Sequence, residues 1–194
     1  MRQMFRGLSS FAPLFVLLAL SACAALPMSP AAPSKLRPGD HVGDMVLQKG
    51  SPMGQFIGQL SGCRFPNPVA PGSYTGAECS MRLVGDELRL DLAGWTTTTQ
   101  ERLENNWPAI TYDLYVDDKA VDVTAFGTYD QQNILLGTPS SVSRNFDVAL
   151  VHPTPGKHTL RIVMHVDHTI NDGWSNYPPG SYESIIPFDF LACC

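Results

Sequence analysis

Residues 158–167 read HTLRIVMHVD, and the apolar residues Leu160, Ile162, Met164 and Val166 stand at every second position. The positions between them carry mostly polar or charged side chains. This alternation is typical of a strand with one face in a hydrophobic core and the other in water. Such strands belong to antiparallel sheets, because parallel strands are usually apolar on both faces.

The same period of two recurs along the chain after Gly39. It predicts about eight strands: 42–48, 81–93, 110–117, 121–127, 132–136, 145–152, 158–167 and 183–191. Turn residues agree with this division, since Asp117-Asp118-Lys119 and Pro153-Thr154-Pro155-Gly156 each separate two strands. Only Thr99 to Asn106 is compatible with a helical turn or two. Many short strands joined by turns indicate one all-β domain, a sandwich or a barrel, over residues 39–194.

Two segments resemble bacterial immunoglobulin-like domains. Residues 112–121, YDLYVDDKAV, resemble a hairpin common in these domains, and residues 155–162, PGKHTLRI, resemble the turn that leads into one of their late strands. The resemblance implies an immunoglobulin-like antiparallel β-sandwich of about eight strands. It covers less than a fifth of the exported chain and implies a fold without a function.

The amino terminus predicts export. Residues 1–22 place Arg2 and Arg6 before an apolar run from Phe11 to Leu20. A run of about ten apolar residues is typical of a signal peptide. It is too short to span a membrane, which takes about twenty.

Leu20-Ser21-Ala22-Cys23 resembles the lipobox of bacterial lipoproteins. The resemblance implies cleavage before Cys23, a diacylglycerol on its thiol and acylation of the new amino group, with palmitate as the expected acid. The protein would then be attached to the membrane through the lipid on Cys23, on the extracytoplasmic side of the cell envelope. Ala24 favours the outer membrane in a cell that has two. The alternative is an ordinary secretory signal with an incidental cysteine.

Residues 23–38 are predicted to be the lipidated cysteine and a tether. The segment 24–38 contains four prolines and no apolar period, which indicates an extended spacer. Cleavage would remove Arg2 and Arg6, so the charge becomes (13 − 2) − 18 = −7. An acidic domain without a basic stripe is not expected to bind nucleic acid, and anionic headgroups would repel it.

Four cysteines remain besides Cys23, and outside the cytosol an even number favours disulfides. Four cysteines allow three connectivities. We favour Cys63–Cys79, because it would close an irregular loop rich in Pro and Gly and could stabilise the fold by about 3 kcal/mol. Cys193 and Cys194 would then be free, joined to each other or linked to another chain.

An immunoglobulin-like topology would bring the loops 94–109 and 168–182 to one end of the sandwich. These loops contain all three tryptophans, with tyrosine, amide and carboxylate side chains nearby. Such groups suit the recognition of a glycan, a peptide or an envelope protein. The ligand-binding candidates are Trp95, Trp107, Trp174, Tyr177, Asn171 and Asp172. The alternative is that Trp107 plugs the end of the core and Trp174 caps a hydrophobic edge.

Four histidines, His152, His158, His165 and His168, fall within seventeen residues. Their positions along the strands bring no three of them together, so we expect solvated histidines on a strand face, no metal and no cofactor. No GxSxG, HExxH or P-loop motif occurs in the sequence.

These observations predict a lipid-anchored extracytoplasmic module that binds a ligand or an envelope partner and has no catalytic activity. Two alternatives stay open. One is a small envelope hydrolase whose site is carried by a loop, and the other is a purely structural lipoprotein.

Overall fold

The computed structural model describes residues 34–51, 55–56, 65–81, 86–91, 93–135 and 138–191. The predicted signal peptide, Cys23 and the tether up to Pro33 lie outside this part of the chain, as do Cys63, Cys193 and Cys194. The strands are β1 His41–Val42, β2 Met45–Lys49, β3 Gln55–Phe56, β4 Gly72–Thr75, β5 Cys79–Met81, β6 Glu87–Arg89, β7 Gly94–Thr97, β8 Ile110–Val116, β9 Lys119–Val121, β10 Thr128–Leu135, β11 Thr138–Phe146, β12 Val148–Val151, β13 Gly156–Val166, β14 Ile170–Asn171, β15 Asn176–Tyr177 and β16 Gly180–Phe190.

The first sheet contains the longest strands, in the order β4-β16-β13-β8-β9. Strands β13 and β16 pair antiparallel over their full length without a register shift, and β13 pairs antiparallel with β8 on its other side. Strands β4 and β5 add to the outer edge of β16 in parallel. The segments predicted as 110–117, 158–167 and 183–191 are therefore neighbours, as the immunoglobulin-like topology requires.

The hairpin between β8 and β9 turns at Asp117 and Asp118, whose φ angles are +47° and +61°. Two successive left-handed residues match the right-handed twist of the flanking strands, and aspartate tolerates this conformation. Leu36 pairs with the far edge of β9, because its N–H donates to Ala120 and its carbonyl accepts from Asp122. The end of the predicted tether is thus attached to the sandwich.

The second sheet is built around β11 and β12, which only Asp147 separates. β11 pairs with β10 on one side and with β7 on the other. β12 pairs with β2 on one side and with β6 on the other. The second sheet therefore consists of a three-stranded part, β10-β11-β7, and a five-stranded part, β1-β2-β12-β6-β3. β3 extends it in parallel beyond β6.

The core lies between the two sheets. Leu114, Leu160 and Phe188 from the first sheet are buried, as are Leu88 and Leu150 from the second. The prediction of an all-β sandwich with mainly antiparallel pairing is confirmed. The described chain divides into sixteen strands rather than about eight, because short strands such as β3, β4, β14 and β15 were not predicted and Asp147 separates β11 from β12.

One predicted strand is wrong. Residues 81–93 do not form a continuous strand: β5 ends at Met81 in the first sheet, whereas β6 begins at Glu87 in the second. The alternation from Glu87 to Arg89 exists, and Leu88 is buried. Alternation of apolar and polar residues indicates which face of a strand is buried, but it does not indicate which sheet the strand joins. The change of sheet could therefore not be predicted from the sequence.

The predicted strand 121–127 is also too long. β9 ends at Val121, and Val123–Phe126 forms a 3₁₀ turn. Val123 and Phe126 are both buried because their spacing of three residues brings them to one side of such a turn. Gly127 then adopts φ +77° and leads into β10.

The predicted helical turns over Thr99 to Asn106 are confirmed as helix α1, Gln100–Asn106. The Thr99 side chain caps the helix by accepting a hydrogen bond from the Arg102 N–H. Leu103 and Asn106 are its buried residues, and the 3₁₀ turn Trp107–Ala109 follows before β8 begins. No helix in the described ranges is both long and apolar enough to cross a membrane.

Candidate functional site

A cavity of about 430 Å³ opens between the two sheets. The inner face of the first sheet forms its floor, through alternate residues of β8, β13 and β16. These residues are Tyr112, Ile162, Met164, Tyr182, Ser184 and Ile186. Their even spacing explains why they share one face, because successive side chains of a strand point to opposite sides.

The opposite wall comes from β7 and its neighbourhood, with Asp91, Gly94, Trp95 and Thr96, and from Asn145 of β11. Gly94 permits a close approach at this place. A Cβ on Gly94 would lie 2.0 Å from the Asn145 Oδ1 atom, so no other residue fits there without a shift. Phe65, Pro66, Asn67 and Pro68 complete the lining on another side.

The hairpin β14–β15 forms the side of the cavity that carries Asp172, Trp174 and Tyr177. One Asp172 carboxylate oxygen accepts hydrogen bonds from the N–H groups of Trp174 and Ser175, both at 2.7 Å. The other oxygen accepts from the Tyr177 hydroxyl at 3.0 Å. Asp172 is only 6% exposed, so it is the polar centre around which this hairpin folds.

Trp174 and Trp95 differ sharply in exposure. Trp174 is 59% exposed and lies at the rim, whereas Trp95 is 6% exposed in the wall. The Trp95 ring contacts Tyr177 edge-to-face, with ring centroids 4.8 Å apart. The cavity therefore combines a rigid aromatic wall with one indole that a ligand can cover.

The Trp95 Nε1–H group is buried and has no hydrogen-bond partner among the residues that the structure describes. Buried N–H groups are nearly always paired, and an unpaired one costs free energy of about 1–3 kcal/mol. Trp95 lines the cavity, so this group lies near the space that a ligand would occupy.

The phenol groups of the cavity stay protonated near neutral pH. Burial raises the pKa of Tyr112, whose hydroxyl donates to the Gly94 carbonyl at 2.5 Å. Burial, and then the hydrogen bond to the Asp172 carboxylate, raise the pKa of Tyr177. Both tyrosines therefore act as hydrogen-bond donors to the protein.

The chain matches no family model, and no curated protein or solved structure is similar enough to it to show a relationship. Function therefore has to be inferred from the residues of the site.

The structure brings four of the six ligand-binding candidates to the cavity: Trp95, Trp174, Tyr177 and Asp172. Asn171 is adjacent but faces other residues. Its side-chain oxygen accepts from Arg102 of helix α1 at 2.7 Å, and its amide donates to Asn176. It thereby fixes the hairpin that carries Asp172.

Trp107 does not line the cavity. It packs in what we call the Trp107 cluster, formed by Trp107, Tyr112, Phe146 and Arg144. Its ring centroid lies 5.5 Å from that of Phe146 and 6.2 Å from that of Tyr112, and the Arg144 guanidinium lies 5.7 Å away. This environment matches the alternative reading of Trp107 as a plug at the end of the core.

The sequence analysis missed most residues of the cavity floor. Tyr112 and Met164 stand at inward positions of predicted strands, where we expected only core packing, whereas Tyr182 had been placed at the end of the loop 168–182. The available signal was the hydroxyl group of Tyr112, because an inward tyrosine needs a polar partner. Phe65 and Pro66 lie in a segment without a period, and nothing in the sequence pointed to them.

The histidines do not behave uniformly. His158 was expected on a solvated face, but its side chain is only 10% exposed and stacks on Phe188 and Phe190. Its ring also lies 2.8 Å from the Asp117 carboxylate. His158 shares the inward parity of Leu160, which explains the error. No group of three or more His, Cys, Asp or Glu side chains forms a metal site in the described ranges.

His165 lies on the outer face of the first sheet, between Ser181 and Asp113. Its Nδ1 atom lies 2.8 Å from the Ser181 hydroxyl, and its Nε2 atom lies 3.1 Å from the Asp113 carboxylate. Hydrogen bonds from Lys35 and then from His165 lower the pKa of Asp113. A serine, a histidine and a charged aspartate in this order form a hydrogen-bonded chain, but none of the three lines the cavity.

Proposed function

We propose that this chain is a lipid-anchored extracytoplasmic binding module whose ligand occupies the cavity between the two sheets. The observation that supports the proposal most is the buried, unpaired Trp95 N–H in an aromatic wall. A ligand oxygen within reach of this N–H group would give it a hydrogen-bond partner.

The size and lining of the cavity support binding. Its volume of about 430 Å³ lies within the range of about 300–1,000 Å³ that is usual for small-molecule sites. The lining combines aromatic and aliphatic side chains with the polar residues Asn67, Asp91, Thr96, Asn145, Asp172 and Ser184. Asp172 is held by three hydrogen bonds, so it is already positioned before a ligand arrives.

A tryptophan fluorescence titration of the full chain tests this function. The panel would contain neutral and amino monosaccharides, small ammonium compounds and short peptides. We expect at least one compound to change the emission saturably, and the Trp174→Ala variant to lose most of the response. The matched control is Trp107→Ala, which removes an indole from outside the cavity. A full response that survives in Trp174→Ala and disappears in Trp107→Ala would place the ligand elsewhere.

The lipid anchor rests on the resemblance of Leu20-Ser21-Ala22-Cys23 to a lipobox, which lies outside the described residues. Mass spectrometry of the protein isolated from its cell would test it. We expect a chain that begins at an acylated Cys23 and fractionates with membranes, and a Cys23→Ser variant that does not. A native chain with a free Cys23 thiol and an intact leader would contradict the anchor. The Cys63–Cys79 disulfide belongs to the same proposal, and peptide mapping without reduction would test it.

The hydrolase alternative has one observation in its favour, the Ser181–His165–Asp113 chain. A nucleophilic serine is activated when a histidine can take its proton and an acid orients that histidine. An alkyl fluorophosphonate would test this, because attack by the Ser181 oxygen displaces fluoride and His165 takes the hydroxyl proton. Labelling that is lost in Ser181→Ala would support a hydrolase. No labelling at neutral pH would leave the three residues as cross-strand surface contacts.

A further inference from the structure

We propose that the preferred ligand of the cavity is a small organic ammonium ion that also carries an oxygen atom, as an amino alcohol does. The inference rests on the proposed function, because it names the ligand class of the same site.

The first argument is the charge of the lining. Asp172 lines the cavity, and no Lys, Arg or His is among the described lining residues. No cationic side chain of the described ranges lies within ion-pair distance of Asp172, although this carboxylate is 94% buried. Its hydrogen bonds satisfy the oxygens without neutralising the charge. A cation would therefore be favoured in the cavity and an anion disfavoured.

The second argument is the aromatic lining. Six aromatic side chains surround the cavity: Phe65, Trp95, Tyr112, Trp174, Tyr177 and Tyr182. The faces of such rings attract organic cations, and tryptophan attracts them most strongly. Cavities that combine aromatic rings with carboxylates are a general solution for quaternary and other alkylated ammonium groups. A hydrated inorganic cation would gain little from the same walls.

The third argument is independent of charge. The unpaired Trp95 N–H is a donor, and an ammonium group has no acceptor to offer it. The ligand that satisfies the whole cavity must therefore carry a hydroxyl, ether or carbonyl oxygen besides its positive charge. Amino alcohols and amino sugars combine these groups, and so does a lysine side chain close to its own peptide carbonyl.

The charge is tested with choline and its neutral carbon isostere 3,3-dimethylbutan-1-ol, which have nearly the same shape. Calorimetric titration of the full chain would give both dissociation constants. We expect choline to bind at least tenfold more tightly than the isostere. Equal affinities would overturn the ammonium inference but leave the cavity as a binding site. Failure of choline and of both primary amines named below to bind would also overturn it, and the wider panel above would then decide whether the cavity binds anything else.

The variant Asp172→Asn connects the charge preference to the cavity. Asparagine can still accept from the Trp174 and Ser175 N–H groups, so the hairpin should keep its fold. We expect the preference for choline to fall about tenfold while the affinity for the isostere stays constant. The matched control is Asp167→Asn, whose 67% exposed side chain lies outside the cavity and should change neither affinity.

The source of the ammonium group is decided by the same titration. Choline represents quaternary ammonium compounds, glucosamine represents amino sugars, and Nα-acetyl-lysine methylamide represents a lysine side chain. Glucose is the neutral control for glucosamine. Preference for choline indicates a quaternary ligand, and preference for one of the primary amines indicates that class. Glucose binding as tightly as glucosamine would count against a role for the charge.

Discussion

Trp95 and Trp107 are twelve residues apart and both contact the inner side of the sandwich, yet their surroundings differ. Trp107 is half-buried against Tyr112, Phe146 and the Arg144 guanidinium. Trp95 is more deeply buried, but it borders a cavity and its N–H has no partner. Burial alone therefore does not distinguish a tryptophan that packs in the core from one that can bind a ligand. What distinguishes Trp95 is a polar atom beside the cavity that has no partner among the described residues.

The largest expected effect concerns the Trp107 cluster. Trp107→Ala should lower the free energy of unfolding by about 2 kcal/mol, since it deletes a half-buried indole and leaves a void against Phe146. Ligand affinity at the cavity should change little. Urea unfolding together with the titrations would check both quantities. A large loss of affinity at unchanged stability would reverse the roles assigned to the two tryptophans.

Trp174→Ala should show the opposite pattern. The exposed indole contributes little to the fold, so the free energy of unfolding should change by no more than about 0.5 kcal/mol. Ligand affinity should fall about tenfold, as expected when a rim aromatic that covers a ligand is removed. Urea unfolding and the ligand titrations would check both quantities. Unchanged affinity would remove Trp174 from the site.

Trp95→Phe isolates the unpaired N–H, because it keeps an aromatic ring in the wall and removes the donor. A hydrogen bond in this setting contributes on the order of 1 kcal/mol, so an oxygen-bearing ligand should bind about fivefold more weakly. A ligand analogue in which a methylene replaces that oxygen should be unaffected by the substitution. If both compounds lose affinity equally, the effect comes from ring shape.

The smallest effect is pH-dependent and belongs to the Trp107 cluster. Arg144 lies over Trp107, and its guanidinium lowers the pKa of Asp130 through two hydrogen bonds at 2.7 Å. A lowered pKa contributes stability above the unfolded value of about 3.9, and this is lost as pH falls through the folded value. Because Asp130 is partly exposed, Asp130→Asn should cost only about 0.5 kcal/mol near pH 7.

Urea midpoints at a series of pH values from 7 downward would test this prediction. The wild type and Asp130→Asn should differ at pH 7, and the difference should shrink as the pH falls through the folded pKa of Asp130, because the carboxyl group then becomes protonated in the folded wild type as well. A difference that persists in acid would mean that the substitution acts through packing rather than charge.

The strands with the clearest alternation were predictable, because their apolar faces must be buried. Strands β8, β13 and β16 and helix α1 follow the predicted segments closely. The prediction of 132–136 missed the first half of the polar strand β10. This strand is largely exposed, so its residues do not alternate between apolar and polar. The path from Met81 to Glu87 was not predictable, since the choice of sheet depends on partners that are distant in the sequence.

The candidate site was predictable only in part, for a related reason. Tryptophan in a loop indicates an aromatic site or a plug, and the sequence contains no information about which neighbours fill the space around it. Trp107 was named as a possible plug and Trp95 as a binding candidate, but the sequence could not decide either assignment. Only the tertiary contacts show that Phe146 and Arg144 occupy the surroundings of one, whereas open space borders the other.

Fluorine NMR of the full chain, with 5-fluorotryptophan at its three tryptophans, tests the distinction between the cavity and the Trp107 cluster most directly. The resonances are assigned by replacing each tryptophan in turn, and the spectra are followed during titration with choline, 3,3-dimethylbutan-1-ol and glucosamine. We expect the Trp95 and Trp174 resonances to move saturably with a binding compound while the Trp107 resonance stays in place. Movement of Trp107 alone, or no movement with any compound, would contradict a ligand site in the cavity.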